Sequence, residues 1–372
     1  MRLALQNTKD FNLIVYNIIY ISITRGIGMD YAVITTIYYE NVNTLRLCSQ
    51  LCELGADNIV IVNNGVSLSK QYLAEALSMG CHIIKLKANE GKGSCIKAGI
   101  KYAQSKIHGI KGFITVDSDG QHRAEDVMKI ARAMDLRPDC LVLGKRDMKK
   151  STAPFGVKLG TKLSSAYFKI ITGVSCKDTQ TGLRGIPSTL FDLAINTKGK
   201  RFDYDMNFLT KCADRKIPIY DINIVADFSE NKNSDYKMVK DTYLIYATPL
   251  RFATASVGCA IIDLVLFVIL HNILPLSSAI NILLATVIAR IVSGGINFLI
   301  NRRVIFKNCG DISGQLLRFF ILFFAIMCTS SLAVSLLSFL PIPPIIIKVV
   351  VDILLWTVNY SMQRKWVFKD RK

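Results

Sequence analysis

Two carboxylates, those of Asp117 and Asp119, follow the short apolar run 112–116, and Ser118 separates them. Carboxylate oxygens are ligands that a hard divalent cation such as Mg²⁺ or Mn²⁺ prefers, and such an ion neutralises charge on a departing diphosphate. Acidic loop tips are common, so an Asp-X-Asp motif is a weak signal by itself. Its place directly after an apolar run indicates a metal and diphosphate site that needs support from neighbouring motifs.

Lys92 stands between two glycines at the start of a helical pattern. Backbone N–H groups together with a cation at such a position favour an anion such as phosphate. A plain helix start held by glycines is the alternative, and the sequence leaves both interpretations open.

These residues belong to an alternation of strand and helix patterns that begins near residue 30. Predicted strands cover 32–37, 58–62, 82–86, 112–116 and 140–143, and predicted helices include 42–54 and 92–103. The alternation indicates βαβ units and a mostly parallel α/β sheet. Because ligands collect at the carboxyl ends of such strands, Asp117 and Asp119 fall where a binding site is expected.

Four apolar stretches follow, at about 252–273, 277–300, 316–340 and 343–363. Each is long enough to cross a hydrocarbon core about 30 Å thick. Lys and Arg flank one end of the stretches and are absent from the turns at the other end, so the positive-inside rule places the first domain and both termini in the cytoplasm. The sequence therefore predicts an integral protein of the cytoplasmic membrane with four helices.

The four stretches form two related hairpins, since the segment 297–307 is similar to 359–369. Two such units are expected to pack about a pseudo-twofold axis along the membrane normal.

Four ionisable residues lie within the apolar stretches. Asp263 and Arg290 fall at matching depths along the first two predicted membrane helices, and Lys348 and Asp352 are four residues apart on one helix face. The two opposite charges of each pair can therefore form an ion pair. Such residues are either functional or structural ion pairs that fix helix packing.

The formal net charge of +18 suggests an anionic partner. Zinc-finger spacing, an aromatic nucleic-acid signature and a long arginine tract are all missing, so lipid and phosphate are better candidates than nucleic acid. The ten cysteines form no CxxC pair or Cys/His ligand set and are expected to be reduced thiols.

The sequence divides into four parts. We expect an amino-terminal extension (1–28) whose apolar run is too short to span a membrane, a catalytic domain (29–234), an amphipathic juxtamembrane linker (235–249) and a membrane domain (250–372).

The membrane part resembles the GtrA-like family in its four stretches, its Arg-Phe openings at 251–252 and 318–319, and its two Asn-containing helix ends. The resemblance covers 250–370 and implies a role with polyprenyl-phosphate-linked sugars.

The first domain resembles the family 2 glycosyltransferases of the polyprenyl- or dolichyl-phosphate mannose (or glucose) synthase type. The matching motifs are 33–40, 60–65, 89–93, 117–122, 143–146, 178–184 and 201–205. The resemblance implies a GT-A fold, Mg²⁺ or Mn²⁺ as cofactor, a GDP- or UDP-linked sugar donor and a polyprenyl phosphate acceptor. Some relatives form homo-oligomers, so this chain is a candidate for self-association.

By the same resemblance, Thr36, Tyr38 and Glu40 would cradle the nucleotide. Asn63 and Asn64 stand where the family usually has two aspartates, one of which commonly bonds the base. The amides can donate as well as accept, so the choice of nucleotide is left open.

The resemblance also assigns roles around the reacting groups. Asp117, Asp119 and Gln121 would hold the metal, with the Ser118 backbone against the donor, and Arg146 would bind the acceptor phosphate together with Lys158 or Lys162. Residues expected to line the donor-sugar or acceptor site are Asp178, Gln180, Arg184 and Asp205. A lid is expected to carry Lys232, Ser234 and Lys237. Of all these, we expect Asp117, Asp119, Arg146, Asp178 and Arg184 to be catalytic.

The predicted reaction is inverting transfer of mannose, glucose or a similar sugar to a polyprenyl (undecaprenyl or dolichyl) phosphate, for cell-surface polysaccharide or glycoconjugate synthesis. Two alternatives stay open: a translocator of lipid-linked sugars with an accessory transferase domain, and a transferase that acts directly on a glycan or glycolipid.

Overall fold

The computed structural model describes residues 29–148, 153–228, 238–273, 278–307, 310–339 and 341–369. The chain divides into two compact units, the first ending at Ile245 and the second beginning at Tyr246. The predicted extension 1–28 and the predicted lid residues Lys232, Ser234 and Lys237 lie outside the described residues.

The first unit is a seven-stranded sheet covered by helices. Its strands are β1 (Tyr31–Ile37), β2 (Ile59–Asn63), β3 (His82–Lys85), β4 (Gly112–Asp117), β5 (Leu141–Arg146), β6 (Arg184–Pro187) and β7 (Ile219–Ile224). Its helices are α1 (Val42–Glu53), α2 (Lys70–Ser78), α3 (Lys92–Lys106), α4 (Ala124–Leu136), α5 (Phe155–Thr172), α6 (Phe191–Ile195) and α7 (Asp203–Asp214).

The strands lie in the order β3-β2-β1-β4-β6-β5-β7. Every neighbouring pair is parallel except the two pairs formed by β6, which runs antiparallel to β4 and β5. The predicted mostly parallel α/β sheet is therefore confirmed, and the predicted strands correspond to β1 to β5.

The sheet separates two apolar cores because successive strand residues point to opposite faces. Val33 and Ile37 of β1 face one core together with α1, α2 and α4, whereas Ala32 and Ile34 face the other with α3, α6 and α7. Both faces are covered, which explains why β1 is apolar along its whole length instead of alternating.

The membrane unit is formed by long apolar helices. They are α8 (Met238–Ile273), α9 (Ser278–Ile300), α10 (Ile312–Leu337) and α11 (Pro344–Met362), with π-helical turns at Asn301–Ile305 and Gln363–Val367. All four are long and apolar enough to cross a membrane. Helix α8 begins in the first unit and continues through Pro249 into the second, so the described part of the predicted linker is continuous with the first span.

Within the second unit, aromatic rings of each hairpin pack on aromatic rings of the other hairpin. Phe252 packs on Tyr360 with ring centroids 5.3 Å apart, and the repeat-equivalent pair, Phe319 and Phe298, packs at 5.5 Å. In both pairs the first helix of one hairpin contacts the last helix of the other. This is the contact pattern expected of a pseudo-twofold axis between the hairpins.

Equivalent side chains also meet each other directly, as residues beside a twofold axis do. Phe306 stacks on Phe368 with ring centroids 5.1 Å apart, and the Asn301 amide donates to Gln363 at 2.9 Å. Both amides are buried, and each also donates to the asparagine four residues earlier. A buried amide cluster thus joins the two repeats.

The expected ion pairs within the apolar helices are present. Arg290 Nε lies 3.4 Å from Asp263 Oδ2, and Lys348 Nζ lies 2.5 Å from Asp352 Oδ2. A serine hydroxyl donates to each of these aspartates. Each carboxylate therefore has a cation and a hydroxyl as partners.

Candidate active site

Three strands bring the predicted catalytic residues to one edge of the sheet. Asp117 ends β4 and lies opposite Thr36 in the register with β1, and Arg146 ends β5. Since β6 is antiparallel to both β4 and β5, its first residue, Arg184, lies at the same edge. The sheet topology thus collects residues that are far apart in sequence.

The Asp117–Asp119 turn is fixed by amides. Gln121 Nε2 donates to Asp117 Oδ2 at 2.9 Å and to Asp119 Oδ2 at 3.2 Å, and the Gln121 backbone N–H also bonds Asp119. Asn41 donates to the Ser118 carbonyl at 2.8 Å, so the Ser118 backbone is held by α1's cap residue.

Gly182 allows the Asp117 carboxylate to lie against the neighbouring motif. A Cβ at position 182 would be 2.0 Å from Asp117 Oδ2, which is far inside van der Waals contact. Every other residue type would therefore displace the carboxylate, and this explains the glycine in the motif 178–184.

The two carboxylates have opposite electrostatic environments. Burial by itself would raise the pKa of Asp117, but Lys92 and His122 hold that pKa far below its ordinary value. Burial, followed by the charge of Asp117, raises the pKa of Asp119. For Asp119, burial and the charge of Asp117 thus outweigh the opposing effects of His122 and Lys92.

Lys92 forms ion pairs with two carboxylates of the site, and the phosphate contact expected of it stays a prediction. Its Nζ lies 2.7 Å from Asp117 Oδ1 and 3.3 Å from Asp205 Oδ2, and the residue is only 6% exposed. Although burial acts to lower the pKa of Lys92, the two carboxylates raise it overall. A nucleotide phosphate would have to share this ammonium with both carboxylates.

Arg146 is held rigidly beside the carboxylate motif. Asp178 accepts from Arg146 Nε at 2.7 Å and from Nη2 at 2.8 Å, and Arg146 Nη1 reaches Gln121 Oε1 at 3.5 Å. Both members of the pair are buried. Asp178 thus fixes the guanidinium of Arg146, and the catalytic role that we expected for Asp178 stays a prediction.

Arg184, which we expected to be catalytic, is buried and bonded within the protein. It is 1% exposed, and its guanidinium donates to the backbone carbonyls of Thr179, Thr181 and Asp205. Its Nη1 also lies 3.6 Å from Asp205 Oδ1, so Arg184 supports the loop before β6 and the start of α7. A catalytic role for Arg184 stays a prediction.

Asn63 and Asn64, expected at the nucleotide base, have structural partners. Asn63 exchanges two hydrogen bonds with the backbone of Val66, both at 2.9 Å. Asn64 accepts from the N–H groups of Glu90 and Gly91 and donates to Asn89. Both amides are buried and hold loops, and a contact of either one with the base stays a prediction.

The remaining predicted residues are placed less centrally. Thr36 is buried at the end of β1, Tyr38 is half-buried just after it, and the Glu40 carboxylate accepts a hydrogen bond from the Ser69 amide. The Gln180 side chain contacts α5, where Thr161 donates to it at 3.3 Å.

The two lysines expected at the acceptor phosphate also lie on α5. Lys158 is half-buried and Lys162 is exposed, one turn apart. Neither makes an ion pair in the described part of the chain, so both cations are available to a ligand.

Sequence reasoning missed His122. Its side chain is fully buried, and its Nε2 lies 3.5 Å from Asp117 Oδ2. The only available signal was its position next to Gln121, because a buried polar ring after a strand-end motif cannot be distinguished from an exposed one by sequence.

The donor set fits a divalent cation. Asp117 Oδ2 and Asp119 Oδ2 converge on a single amide nitrogen of Gln121. Oxygen ligands of this type suit Mg²⁺ or Mn²⁺.

Comparison with known proteins assigns both units to families. Residues 32–181 match glycosyl transferase family 2, and residues 251–368 match the GtrA/DPMS transmembrane domain. Residues 32–181 therefore form a family 2 glycosyltransferase domain and residues 251–368 a GtrA/DPMS membrane domain, so the protein is an integral membrane protein.

Two relatives have named activities. The polyprenol monophosphomannose synthase of Mycolicibacterium smegmatis is 23% identical over 162 residues, 41% of this chain and 60% of the relative. The UDP-N-acetylglucosamine–dolichyl-phosphate N-acetylglucosaminyltransferase of Methanococcus voltae is 24% identical over 224 residues, 55% of this chain and 86% of the relative.

Solved structures include the glucosyl-3-phosphoglycerate synthase of Mycobacterium tuberculosis with Mn²⁺, UDP-glucose and phosphoglyceric acid. It is 13% identical, with a TM-score of 0.45, and the match covers 58% of this chain and 78% of that chain.

Proposed function

We propose that this chain moves a sugar, such as mannose or glucose, from a GDP- or UDP-linked donor to a polyprenyl phosphate, with inversion at the anomeric carbon. One observation carries the proposal: Arg146, fixed by Asp178, contacts Gln121 of the carboxylate motif. A cation suited to an acceptor phosphate thus stands beside carboxylates suited to a metal-bound diphosphate. The named relatives, which act on polyprenol or dolichyl phosphate, support the same acceptor.

The acceptor needs little activation. A phosphate monoester with its second pKa near 6 is mostly a dianion at neutral pH, so a strong general base is unnecessary. Arg146 has five N–H donors, of which Asp178 takes two. The others can orient the incoming phosphate for attack on the anomeric carbon, opposite the departing diphosphate.

Asp117, Asp119 and Gln121 would hold the divalent cation, which when bound supplies positive charge to the leaving diphosphate. Lys92 and His122 keep Asp117 ionised, and Asn41 holds the turn in position. The first unit and both termini lie in the cytoplasm in this proposal, since the basic residues flank the helix ends joined to that unit.

The test uses purified full-length protein with radiolabelled nucleotide sugars, Mn²⁺ and polyprenyl phosphate, followed by counting of the organic extract. We expect one donor to label the lipid, and Asp119→Asn to lower that rate at least about 100-fold. The matched control is Asp139→Asn, because Asp139 is exposed at the opposite edge of the sheet, before β5. Absence of labelled lipid with every donor refutes the proposal.

A second candidate function, translocation of lipid-linked sugars, is favoured by the two ion pairs within the apolar helices. It predicts that Asp117→Ala protein in liposomes still moves a labelled sugar lipid across the bilayer. It also predicts that Asp263→Asn protein does not.

A further inference from the structure

The start of α8 is bound to the first unit by a buried ion pair. Asp241 accepts two hydrogen bonds from Arg201, one from Nε at 2.7 Å and one from Nη2 at 3.1 Å. The Asp241 side chain is fully buried, and that of Arg201 is 14% exposed. Ile245, one turn further along α8, packs on the apolar core that α3, α6 and α7 share. The start of α8 therefore belongs to the first unit, although the same helix continues into the first membrane span.

Arg201 lies against the turn that carries Lys92. A Cβ at Gly91 would be 2.7 Å from Arg201 Cγ and 2.6 Å from the Lys200 carbonyl oxygen. The Ser94 N–H donates to the same carbonyl at 3.0 Å. The turn is thus packed on and hydrogen-bonded to the segment around Arg201, and glycine is the residue type that lets the two chain segments approach so closely.

The segment that begins at Arg201 also supplies further contacts of Lys92. The ring of Phe202 has its centroid 5.6 Å from Lys92 Nζ, and Asp205, in the first turn of α7, lies 3.3 Å from the same ammonium. Lys92 in turn lies 2.7 Å from Asp117 of the carboxylate motif. A continuous series of contacts therefore leads from the start of α8, through Arg201 and Lys92, to the candidate active site.

We propose that Arg201 and Asp241 are positioning residues, which hold the Lys92 turn in the place that sugar transfer requires. A bidentate pair of arginine and carboxylate fixes both side chains in one geometry, and burial makes the loss of either partner costly. The start of α8 is then a part of the active-site scaffold as well as a connection to the membrane helix. The effect on catalysis rests on the proposed function, whereas the effect on the turn does not.

The test uses full-length protein in phosphatidylcholine nanodiscs, at a temperature at which a thiol-reactive dye shows every variant to be folded. Asp241→Asn keeps the shape of the side chain and removes its charge. We expect kcat to fall about 10- to 100-fold, the loss that a displacement of about 1 Å near the reacting groups can cause. Deuterium exchange of the backbone amides at 91–94, followed by mass spectrometry, should become about tenfold faster because the turn opens more often. The control is Asp192→Asn, since Asp192 is an exposed aspartate on α6 of the same unit.

A double variant separates positioning from stability. Arg201→Met combined with Asp241→Asn removes both charges, so no unpaired charge stays buried and part of the melting temperature lost in Asp241→Asn should return. The kcat should nevertheless stay low, and exchange at 91–94 should stay fast, because the turn still lacks its attachment to α8. Recovery of kcat together with the melting temperature would show a role in stability alone and would overturn the proposal.

The remaining outcomes distinguish this proposal from the proposed function. If Asp241→Asn matches Asp192→Asn in both kcat and exchange at 91–94, Arg201 and Asp241 do not position the turn. If the wild-type protein transfers no sugar from any donor, the proposed function fails, and deuterium exchange alone decides whether the pair holds the turn. Equal exchange in Asp241→Asn and Asp192→Asn would then refute it.

Discussion

Replacement of Lys92 by methionine tests whether one buried ammonium stabilises the carboxylates of the active site. Methionine keeps the length of the side chain but leaves Asp117 and Asp205 buried without the cation that now lies 2.7 and 3.3 Å from them. Removing one partner of a buried ion pair costs about 3–5 kcal/mol. For a unit of about 200 residues, a loss of that size lowers the melting temperature by roughly 6–20 °C.

The melting of the first unit can be followed with a thiol-reactive dye. That unit buries five cysteines, Cys48, Cys81, Cys95, Cys176 and Cys212, which become reactive on unfolding. Both tryptophans, in contrast, belong to the second unit, so their fluorescence reports a different event.

Two further variants make the experiment decisive. Lys97→Met is the control, because Lys97 lies on the same helix, donates to the Gly199 carbonyl and lies over the Tyr204 ring, and makes no ion pair with a carboxylate in the described part of the chain. Lys92→Met combined with Asp205→Asn should recover part of the loss, since one uncompensated charge is removed. A melting temperature of Lys92→Met as high as that of Lys97→Met would refute the counter-ion role.

The effect of Lys92→Met should also be independent of pH near neutrality. The pKa of Asp117 is lowered in the folded state, so its contribution is present above its unfolded pKa of about 4 and is lost only in acid. The pKa of Lys92 is raised, so its contribution is present below about 10.5 and is lost only above it. Equal losses at pH 5.5 and 8.5 are expected, and a loss confined to one of them would contradict this reasoning.

Three more predictions follow from buried polar groups. Asn64→Ala should destabilise the first unit by about 1–3 kcal/mol because it leaves two loop N–H groups unpaired, whereas Asn64→Asp should cost less; the thiol dye measures both. Asn301→Ala should lower the melting temperature reported by tryptophan fluorescence, because it breaks the amide cluster that joins the repeats; an unchanged melting curve would contradict this. Burial raises the pKa of Cys176 and Cys212 to about 12, so iodoacetamide at pH 8 should modify neither in the native protein, while the half-buried Cys140 reacts; peptide mass spectrometry shows which thiols are labelled.

The sequence was sufficient to place Asp117 at a strand end because the alternation of strand and helix patterns is a local property. The sequence did not predict the antiparallel strand β6, because its four residues begin within a polar motif and carry no recognisable strand pattern. The roles of Lys92 and Arg184 were also out of reach. Each depends on a partner, Asp205, that only the tertiary fold brings near, and a charged residue in a polar motif looks the same whether it meets substrate or another side chain.

The ring contacts between the two hairpins of the membrane unit have a consequence for its biogenesis. Phe252 is fully buried, and its ring neighbours include Tyr360 and Trp356 of the second hairpin besides Phe306 of the first, while the buried Phe319 packs on Phe298 of the first hairpin. During synthesis the first hairpin enters the bilayer before its ring partner has been translated. It must therefore wait for the second hairpin, and either hairpin made alone would have to pair with another copy of itself to bury the same surfaces.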